Sequence, residues 1–271
     1  SGCGKSTVGK TIMGLNNITS GTVNFKGRDI GKLSNKDMKP LRKEIQMIFQ
    51  DPYSSLDPKK TIGYQVKEPL DIFNIGTDKE RQEKAKEILE TVGLSYYYMN
   101  RFPHEFSGGQ RQRINIARAL TLDPELLICD EPTSALDVSI QAQVLNLLKE
   151  LQRKLGLTYL FISHDLSVVK YLSDNIAIMY LGKIVEIGDV EEIYKSPLHP
   201  YTKALFSAIP THDPKIKKDR IELKGEIPSP LDLPLGCEFH NRCPYKKAIC
   251  EEKSPLLKSV ASNHSVSCYL Y

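Results

Sequence analysis

The sequence predicts an α/β fold in which helices cover a mostly parallel sheet. Short apolar strand patterns alternate with longer helical patterns, which is typical of that arrangement. Strand patterns cover 22–25, 45–49, 126–129 and 158–163, and helical patterns cover 4–13, 79–92, 110–120, 138–154 and 201–208. The pattern at 126–129 is apolar throughout, as expected for a strand that is buried on both faces.

Two segments depart from this alternation. The stretch at about 51–119 has little strand signal, and we interpret it as a helical subdomain inserted in the sheet domain. Prolines accumulate after residue 197 and the periodicity fades. We therefore predict a sheet domain over 1–197 and a small, loop-rich C-terminal extension over 198–271.

The composition limits the classes of partner. The chain has 271 residues, of which 40% are hydrophobic and 26% charged, and its formal net charge is +4. This is an ordinary globular composition, and the small charge gives no reason to expect a nucleic-acid partner. No apolar run is long enough to span a membrane, and we recognise no signal peptide. We expect a cytosolic protein that reaches any membrane only through partners.

A glycine-rich segment at the start matches the last six positions of the phosphate-binding pattern G-x-x-x-x-G-K-[ST]. Glycines let backbone N–H groups converge on phosphate oxygens, and the following helix adds its positive N-terminal end. In this pattern Lys5 reaches the β- and γ-phosphates of a nucleoside triphosphate and Ser6 binds Mg²⁺. The predicted nucleotide-binding residues of the loop are Ser1, Gly2, Cys3, Gly4, Lys5, Ser6 and Thr7.

Two acidic residues, Asp130 and Glu131, follow the buried strand pattern at 126–129. Ligands bind at the carboxyl ends of strands in parallel sheets, so we expect both residues beside the phosphate loop. Asp130 would hold Mg²⁺ through water, and Glu131 would orient or deprotonate the attacking water as a general base. The combination predicts hydrolysis of the bound nucleotide.

A second helix pattern begins at a glycine-rich segment, which makes its N-terminus another candidate anion site. Its first residues are Ser107, Gly108, Gly109 and Gln110. Because a nucleotide has a single γ-phosphate, two phosphate-binding helix ends in one chain suggest that each nucleotide is held by two chains.

Three further motifs accompany the phosphate loop and the segment 107–110. Together they make roughly residues 1–190 resemble the nucleotide-binding domain of an ABC transporter, which has a P-loop NTPase core. Gln50 matches the lid glutamine, and 107–110 match the signature motif. The segment 134–137, ending at Asp137, matches the D-loop, and His164 matches the switch histidine. The motifs have the order and spacing of that family.

The resemblance implies a head-to-tail pair of such domains, with ATP between the phosphate loop of one chain and the signature motif and D-loop of the other. It implies that Gln50 senses the γ-phosphate and contributes to the Mg²⁺ site. It also implies that His164 contacts the γ-phosphate and supports the transition-state charge. The strand before the loop and the aromatic residue that stacks on adenine would lie upstream of residue 1, so we expect a longer gene product.

Three segments, 50–58, 133–143 and 199–205, resemble the ATPases of oligopeptide and dipeptide importers. Cys3 and the segment 53–55 resemble the second, F-type ATPase of these importers. The resemblance implies a second, non-identical ATPase subunit, two permease subunits and, indirectly, an extracytoplasmic peptide-binding protein. The chain would then lie at the cytoplasmic face of the membrane and power peptide import.

Three other functions stay open at this point. Relatives of these importers carry nickel complexes or other small solutes. A soluble ABC ATPase that acts on DNA or ribosomes usually has a long coiled coil or tandem ATPase domains, and neither pattern is present. An inactive regulatory partner would not need Glu131, His164 and Ser107.

Four cysteines crowd into the end of the chain: Cys237, Cys243, Cys250 and Cys268. In a reducing compartment such clustering favours metal binding over disulfides. The spacing lacks the short C-x₂-C pairs of structural zinc sites, while four thiolates are the number that a [4Fe–4S] cluster needs. The segment 237–244 also resembles the cluster-binding segment of some peptide-importer ATPases. Iron–sulfur, zinc and no metal all stay open, with iron–sulfur favoured.

Overall fold

A computed structural model describes residues 2–209, 220–226, 228–229 and 232–271 of the chain. The chain divides into two compact units, one of Ser6–Ser163 and one of Ser1–Lys5 with His164–Tyr271. We call them the sheet–helix unit and the tail unit. Within the described residues no helix combines the length and apolar character that a membrane crossing requires. Part of the predicted extension, at 210–219, lies outside the described residues.

The sheet–helix unit follows the predicted alternation of strands and helices. Its elements are α1 (Lys5–Ile12, entered from the tail unit), β1 (Asn24–Phe25), β2 (Arg28–Asp29), α2 (Asn35–Leu41), β3 (Ile45–Ile48), α3 (Ile62–Ile72), α4 (Asp78–Thr91), α5 (Gly108–Leu120), β4 (Leu126–Asp130), α6 (Val138–Leu155) and β5 (Thr158–Ile162), with 3-10 turns at Tyr96–Asn100 and Pro103–Glu105. The predicted strand at 22–25 is shorter than expected, since β1 begins only at Asn24; a tight turn at Lys26 and Gly27, both with positive φ, connects it to β2.

A parallel sheet of order β3-β4-β5 forms the centre of this unit. Ile48 pairs with Cys129, and Asp130 pairs with Ile162, so the three carboxyl ends lie at one edge. Leu127 and Ile128 in the central strand are fully buried. The structure thus confirms the predicted α/β fold with a parallel sheet and a continuous apolar central strand.

The helical subdomain is held by its own core and by well-formed helix starts. Thr77 and Glu80 form a capping box at α4, so two of the otherwise unpaired amides at that helix end are satisfied. Val66 of α3, Leu89 of α4 and Ile114 of α5 are fully buried in one cluster that reaches the parallel sheet. The helices of this subdomain are therefore packed onto the strands that carry the candidate site residues.

The tail unit contains a second sheet, which is antiparallel. Its elements are α7 (Leu166–Leu172), β6 (Asn175–Tyr180), β7 (Lys183–Asp189), α8 (Val190–Lys195), α9 (Pro200–Ser207), α10 (Ile249–Glu252), β8 (Lys258–Ala261) and β9 (His264–Val266), with a 3-10 turn at His240–Arg242. The strand order is β6-β7-β9-β8. None of the strands of this sheet is among the strand patterns predicted from the sequence. β8 and β9 are short, and β8 is exposed along its whole length, which removes any alternation of burial.

A buried carboxylate ties three elements of the tail unit together. Glu186 of β7 is fully buried and accepts hydrogen bonds from the backbone amides of Leu198 (2.8 Å) and His199 (3.0 Å). His264 Nε2 of β9 lies 2.7 Å from the same carboxylate. Since removing one partner of a buried charged group leaves the other unsatisfied, this cluster stabilises the start of α9 and the attachment of β9.

The neighbouring His199 is the N-cap of α9, and its Nδ1 accepts a hydrogen bond from the Tyr201 amide (3.1 Å). That role requires a ring nitrogen without a proton. Burial, with the positive charge of Lys203 as a smaller cause, lowers the pKa of His199 from 6.5 to about 4. The folded tail unit therefore holds this ring in its neutral form.

We predict that acid destabilises the tail unit through His199. The folded pKa lies below the unfolded value, so its contribution is complete above 6.5 and is lost as the pH falls towards about 4. The loss amounts to about 3 kcal/mol. Thermal unfolding measured from pH 7.5 to 4 checks this. His199→Asn keeps a capping oxygen without a titrating ring, so the variant should show a weaker loss of stability on acidification. An identical pH dependence in wild type and variant would contradict the assignment.

Candidate nucleotide-binding site

The start of α1 and the end of β4 meet through a direct hydrogen bond. Ser6, the second residue of α1, donates its hydroxyl to Asp130 Oδ1 at 2.9 Å. Asp130 is the last residue of β4 and is only 3% exposed. A hydroxyl and a carboxylate are hard oxygen ligands of the kind that Mg²⁺ prefers. The predicted metal ligands Ser6 and Asp130 are thus brought together at the carboxyl edge of the parallel sheet.

Glu131 lies at the same edge in an unusual backbone conformation. Its φ is 47°, in the left-handed region that few residues other than glycine adopt, and its amide donates to the Ile162 carbonyl at 2.9 Å. Gln50 follows β3 and donates from Nε2 to Glu131 Oε2 at 2.9 Å. Strained conformations of this kind persist only where their surroundings impose them, and they cluster at functional sites. The neighbouring strands β3 and β4 therefore present an amide and a carboxylate in contact.

The signature residues form their own cap at the start of α5. Ser107 Oγ accepts from the Gln110 amide (3.3 Å), and Gln110 Oε1 accepts from the Ser107 amide (3.0 Å). A Cβ at Gly109 would lie 2.3 Å from a methyl group of Ile140 on α6, so only glycine fits there. Gly108, between the cap and this contact, is in the first turn of the helix.

The side chain of Asp137 forms the N-cap of α6. It accepts from the Ile140 amide (2.9 Å) and the Ser139 hydroxyl (2.8 Å). These hydrogen bonds, the amide first, lower the pKa of Asp137. The D-loop aspartate is therefore an ionised helix cap in this chain.

Gly2, Cys3, Gly4 and Lys5 of the loop belong to the tail unit. Thr7 belongs to the sheet–helix unit and is exposed in the first turn of α1. Gly2 and Gly4 have φ of +80° and +92°, and nothing lies within 4 Å of a Cβ at either position. Lys5 Nζ lies 3.5 Å from Cys3 Sγ. Ser1 lies outside the described residues.

His164 is exposed and begins the second segment of the tail unit, just before Asp165, the N-cap of α7. One partner of the loop was missed from the sequence. The Gly182 amide donates to the Cys3 carbonyl at 3.0 Å. The sequence signal for it was a Leu-Gly pair that follows the apolar run at 176–180.

The four clustered cysteines are all free thiols and line one small cavity together with Phe239 and His240. The cavity encloses about 10 Å³, which is room for about one water molecule. Burial raises the pKa of Cys237 to about 11, and it also raises the pKa values of Cys243 and Cys268. These thiols are therefore held in their protonated form.

Among the described residues, which include all four of these cysteines, no group of three or more His, Cys, Asp or Glu side chains could hold a metal ion. The cysteines as placed here therefore do not form a metal site. The cavity that they line is nearly filled.

Comparison with known families gives two matches along the chain. Residues 1–134 match the model described as "ABC transporter". Residues 185–250 match "Oligopeptide/dipeptide transporter, C-terminal region". The two matches cover the phosphate loop through the D-loop serine and most of the tail unit.

Curated relatives are similar over the full chain. The "Oligopeptide transport ATP-binding protein AppF" of Bacillus subtilis is 56% identical, covering 100% of this chain and 83% of the relative. The "Oligopeptide transport ATP-binding protein OppF" of Escherichia coli is 50% identical, covering 99% of this chain and 81% of the relative.

Two solved structures share the core of the fold. One is the dimeric post-hydrolysis state of the ATP-binding cassette MJ0796 bound to ADP and phosphate, with 31% identity and a TM-score of 0.63, covering 70% of this chain and 82% of that one. The other is cbiO1 from Clostridium perfringens, part of the transporter complex cbiONQ, with 29% identity and a TM-score of 0.65, covering 72% of this chain and 76% of that one.

Proposed function

This chain belongs to the ATP-binding proteins of ABC transporters, in their oligopeptide group, and we propose that it binds and hydrolyses ATP to power the import of di- and oligopeptides. The observation that carries the proposal is the contact of Ser6 with Asp130 beside that of Gln50 with Glu131 at one sheet edge. The sequence identity of 56% to an oligopeptide transport ATP-binding protein over the whole chain supports the substrate class.

In this proposal the phosphate loop holds the triphosphate and its metal ion. Gly2, Cys3 and Gly4 present backbone amides, and Lys5 neutralises the β- and γ-phosphates. Ser6 binds Mg²⁺ directly, and Asp130 holds it through water. The hydrogen bond between Ser6 and Asp130 supports this, because both oxygens already converge on one place. Mg²⁺ usually keeps several waters and takes few protein ligands, which a serine and an aspartate satisfy.

Glu131 acts as the general base that orients and deprotonates the attacking water, and Gln50 joins this carboxylate to the γ-phosphate and the metal. Support comes from the 2.9 Å hydrogen bond between the two side chains and from the left-handed backbone of Glu131. A base held in one orientation before the reaction needs little reorganisation when charge develops.

A partner ATPase completes the site. Ser107, Gly108, Gly109 and Gln110 of one chain, with Asp137, close the nucleotide held by the loop of the other, and His164 supports the transition-state charge. The start of α5 supports this role, because Ser107 is exposed there and a helix N-terminus attracts anions. The partners are a second, non-identical ATPase subunit and two permease subunits, at the cytoplasmic face of the membrane, with a peptide-binding protein outside it. We also propose that the ATP-binding domain spans 1–197 and that the C-terminal extension spans 198–271.

We further propose that the tail cysteines hold a [4Fe–4S] cluster when iron and sulfide are supplied. Two findings support it: Cys237, Cys243, Cys250 and Cys268 are free, and all line one cavity. A cluster would bind all four thiolates and so cross-link a unit whose hydrophobic core is small. The chemistry that such a cluster supplies is one-electron transfer. The cavity of about 10 Å³ would have to expand to admit it.

Replacing the proposed base tests the catalytic assignment. Glu131→Gln keeps the shape of the side chain but removes the basic oxygen, so we expect the assembled transporter to bind MgATP and to hydrolyse it about 10²–10⁴-fold more slowly. That corresponds to about 3–5 kcal/mol of barrier. Steady-state phosphate release measures it. Glu125→Gln is the control, since Glu125 precedes β4 and its exposed side chain forms a surface ion pair with Lys26. Wild-type hydrolysis by Glu131→Gln would refute the assignment.

Iron analysis tests the cluster proposal separately. Protein purified without oxygen, or reconstituted with iron and sulfide, should contain about four iron and four sulfide per chain and absorb visible light. Cys243→Ser should lower the iron content, while Cys129→Ser, at a buried cysteine of β4, should not. Colourless wild-type protein without iron after reconstitution would rule the cluster out.

A further inference from the structure

Within the tail unit, a backbone hydrogen bond links the centre of the phosphate loop to the turn between β6 and β7. The Gly182 amide donates to the Cys3 carbonyl at 3.0 Å. Cys3 lies between Gly2 and Gly4, both with positive φ and with no atom near a Cβ. Glycines on both sides leave the Cys3–Gly4 peptide plane free to rotate unless something holds it.

The turn that supplies this amide is strained. Leu181 and Gly182 have φ of 43° and 82° and connect Tyr180 of β6 to Lys183 of β7, which are paired. Such two-residue turns need positive φ at both positions and favour Asn-Gly. For a bulky leucine this conformation is unfavourable. Leu181 is nevertheless only 7% exposed and packs in the tail-unit core, and this burial offsets the cost.

Aromatic rings hold the base of the turn. The Tyr180 ring lies 4.7 Å from the Tyr201 ring and 5.2 Å from the Phe239 ring, measured between centroids. Phe239 is 1% exposed. Burial raises the pKa of Tyr201, and Cys3 is the next cause, which places the Cys3 thiol near this ring. The base of the turn is thus packed against two rings of the tail unit, and the Cys3 thiol lies near one of them, Tyr201.

The planarity of the peptide bond links the turn to nucleotide binding. The chain has no cis peptide bonds, so the Gly4 amide points opposite to the Cys3 carbonyl. When the Gly182 amide holds that carbonyl, the Gly4 N–H must point away from the turn. A rotated peptide would instead turn a carbonyl oxygen towards the phosphates and repel them.

We propose that Leu181 and Gly182 are positioning residues for ATP: their turn fixes the Cys3–Gly4 peptide so that the Gly4 amide faces the phosphates. This inference rests on the proposed ATP site. The turn touches the loop at the Cys3 carbonyl and acts on the nucleotide only through the Cys3–Gly4 peptide.

Two matched glycine substitutions test this role in the assembled transporter. Gly182→Ala and Gly156→Ala both place a Cβ at a positive φ with nothing within 4 Å, so both add similar backbone strain. Gly156 ends α6, where its amide donates to the Gln152 carbonyl. We expect Gly182→Ala to raise the KM for MgATP about tenfold, the size of a lost hydrogen bond to a charged group, with kcat within about twofold.

Gly156→Ala should keep the wild-type KM while losing similar thermal stability. An unchanged KM in Gly182→Ala would overturn the proposal. A wild-type transporter without saturable MgATP hydrolysis would instead refute the proposed function, so the two failures are distinguishable.

Amide hydrogen exchange in the wild-type complex provides a test that needs no variant. Binding of MgADP should slow exchange at 180–184. A nucleotide that binds better when the Cys3–Gly4 peptide is held must in turn favour the hydrogen bond from the Gly182 amide that holds this peptide. Unchanged exchange at 180–184, with MgADP bound at saturation, would overturn the proposal even if Gly182→Ala failed to fold.

Discussion

Parallel pairing of β4 between β3 and β5 is the constraint on which the candidate site depends. A central strand buried on both faces must be apolar along its length, and Leu127, Ile128 and Cys129 meet that demand. The first polar residues, Asp130 and Glu131, can therefore follow only where the strand leaves the core. Because the neighbouring strands run in the same direction, Gln50 and Ile162 arrive at the same edge. The hydrogen bonds of Ser6, Gln50 and Glu131 are consequences of this register.

Much of this unit could be predicted from the sequence because its signals are local. The apolar run at 126–129, the capped helix starts and the phosphate-loop pattern each depend on a few adjacent residues. The cap that Ser107 forms with Gln110 is of this kind. The left-handed Glu131 could not be predicted, because its backbone is set by the Ile162 carbonyl on another strand.

The tail unit was predicted less well for a physical reason. Its order comes from contacts between distant residues, such as Glu186 with His264 and Gly182 with Cys3, and these leave no periodic pattern. The cysteines show the same limit. Their number and spacing indicated a metal, whereas the structure places them around a small apolar cavity, where burial raises the pKa values of Cys237, Cys243 and Cys268. Ligand count alone does not say whether side chains converge.

The central claim is that Ser6 and Asp130 bind the metal ion of a metal–ATP complex, and electron paramagnetic resonance of Mn²⁺ in place of Mg²⁺ tests it most directly. If these two residues bind the metal, the assembled transporter should bind Mn²⁺ tightly only when ATP is present, with coupling to phosphorus nuclei, and Asp130→Asn should weaken this binding. Mn²⁺ binding that is independent of ATP, or unchanged in Asp130→Asn, would contradict the metal-binding role of Ser6 and Asp130.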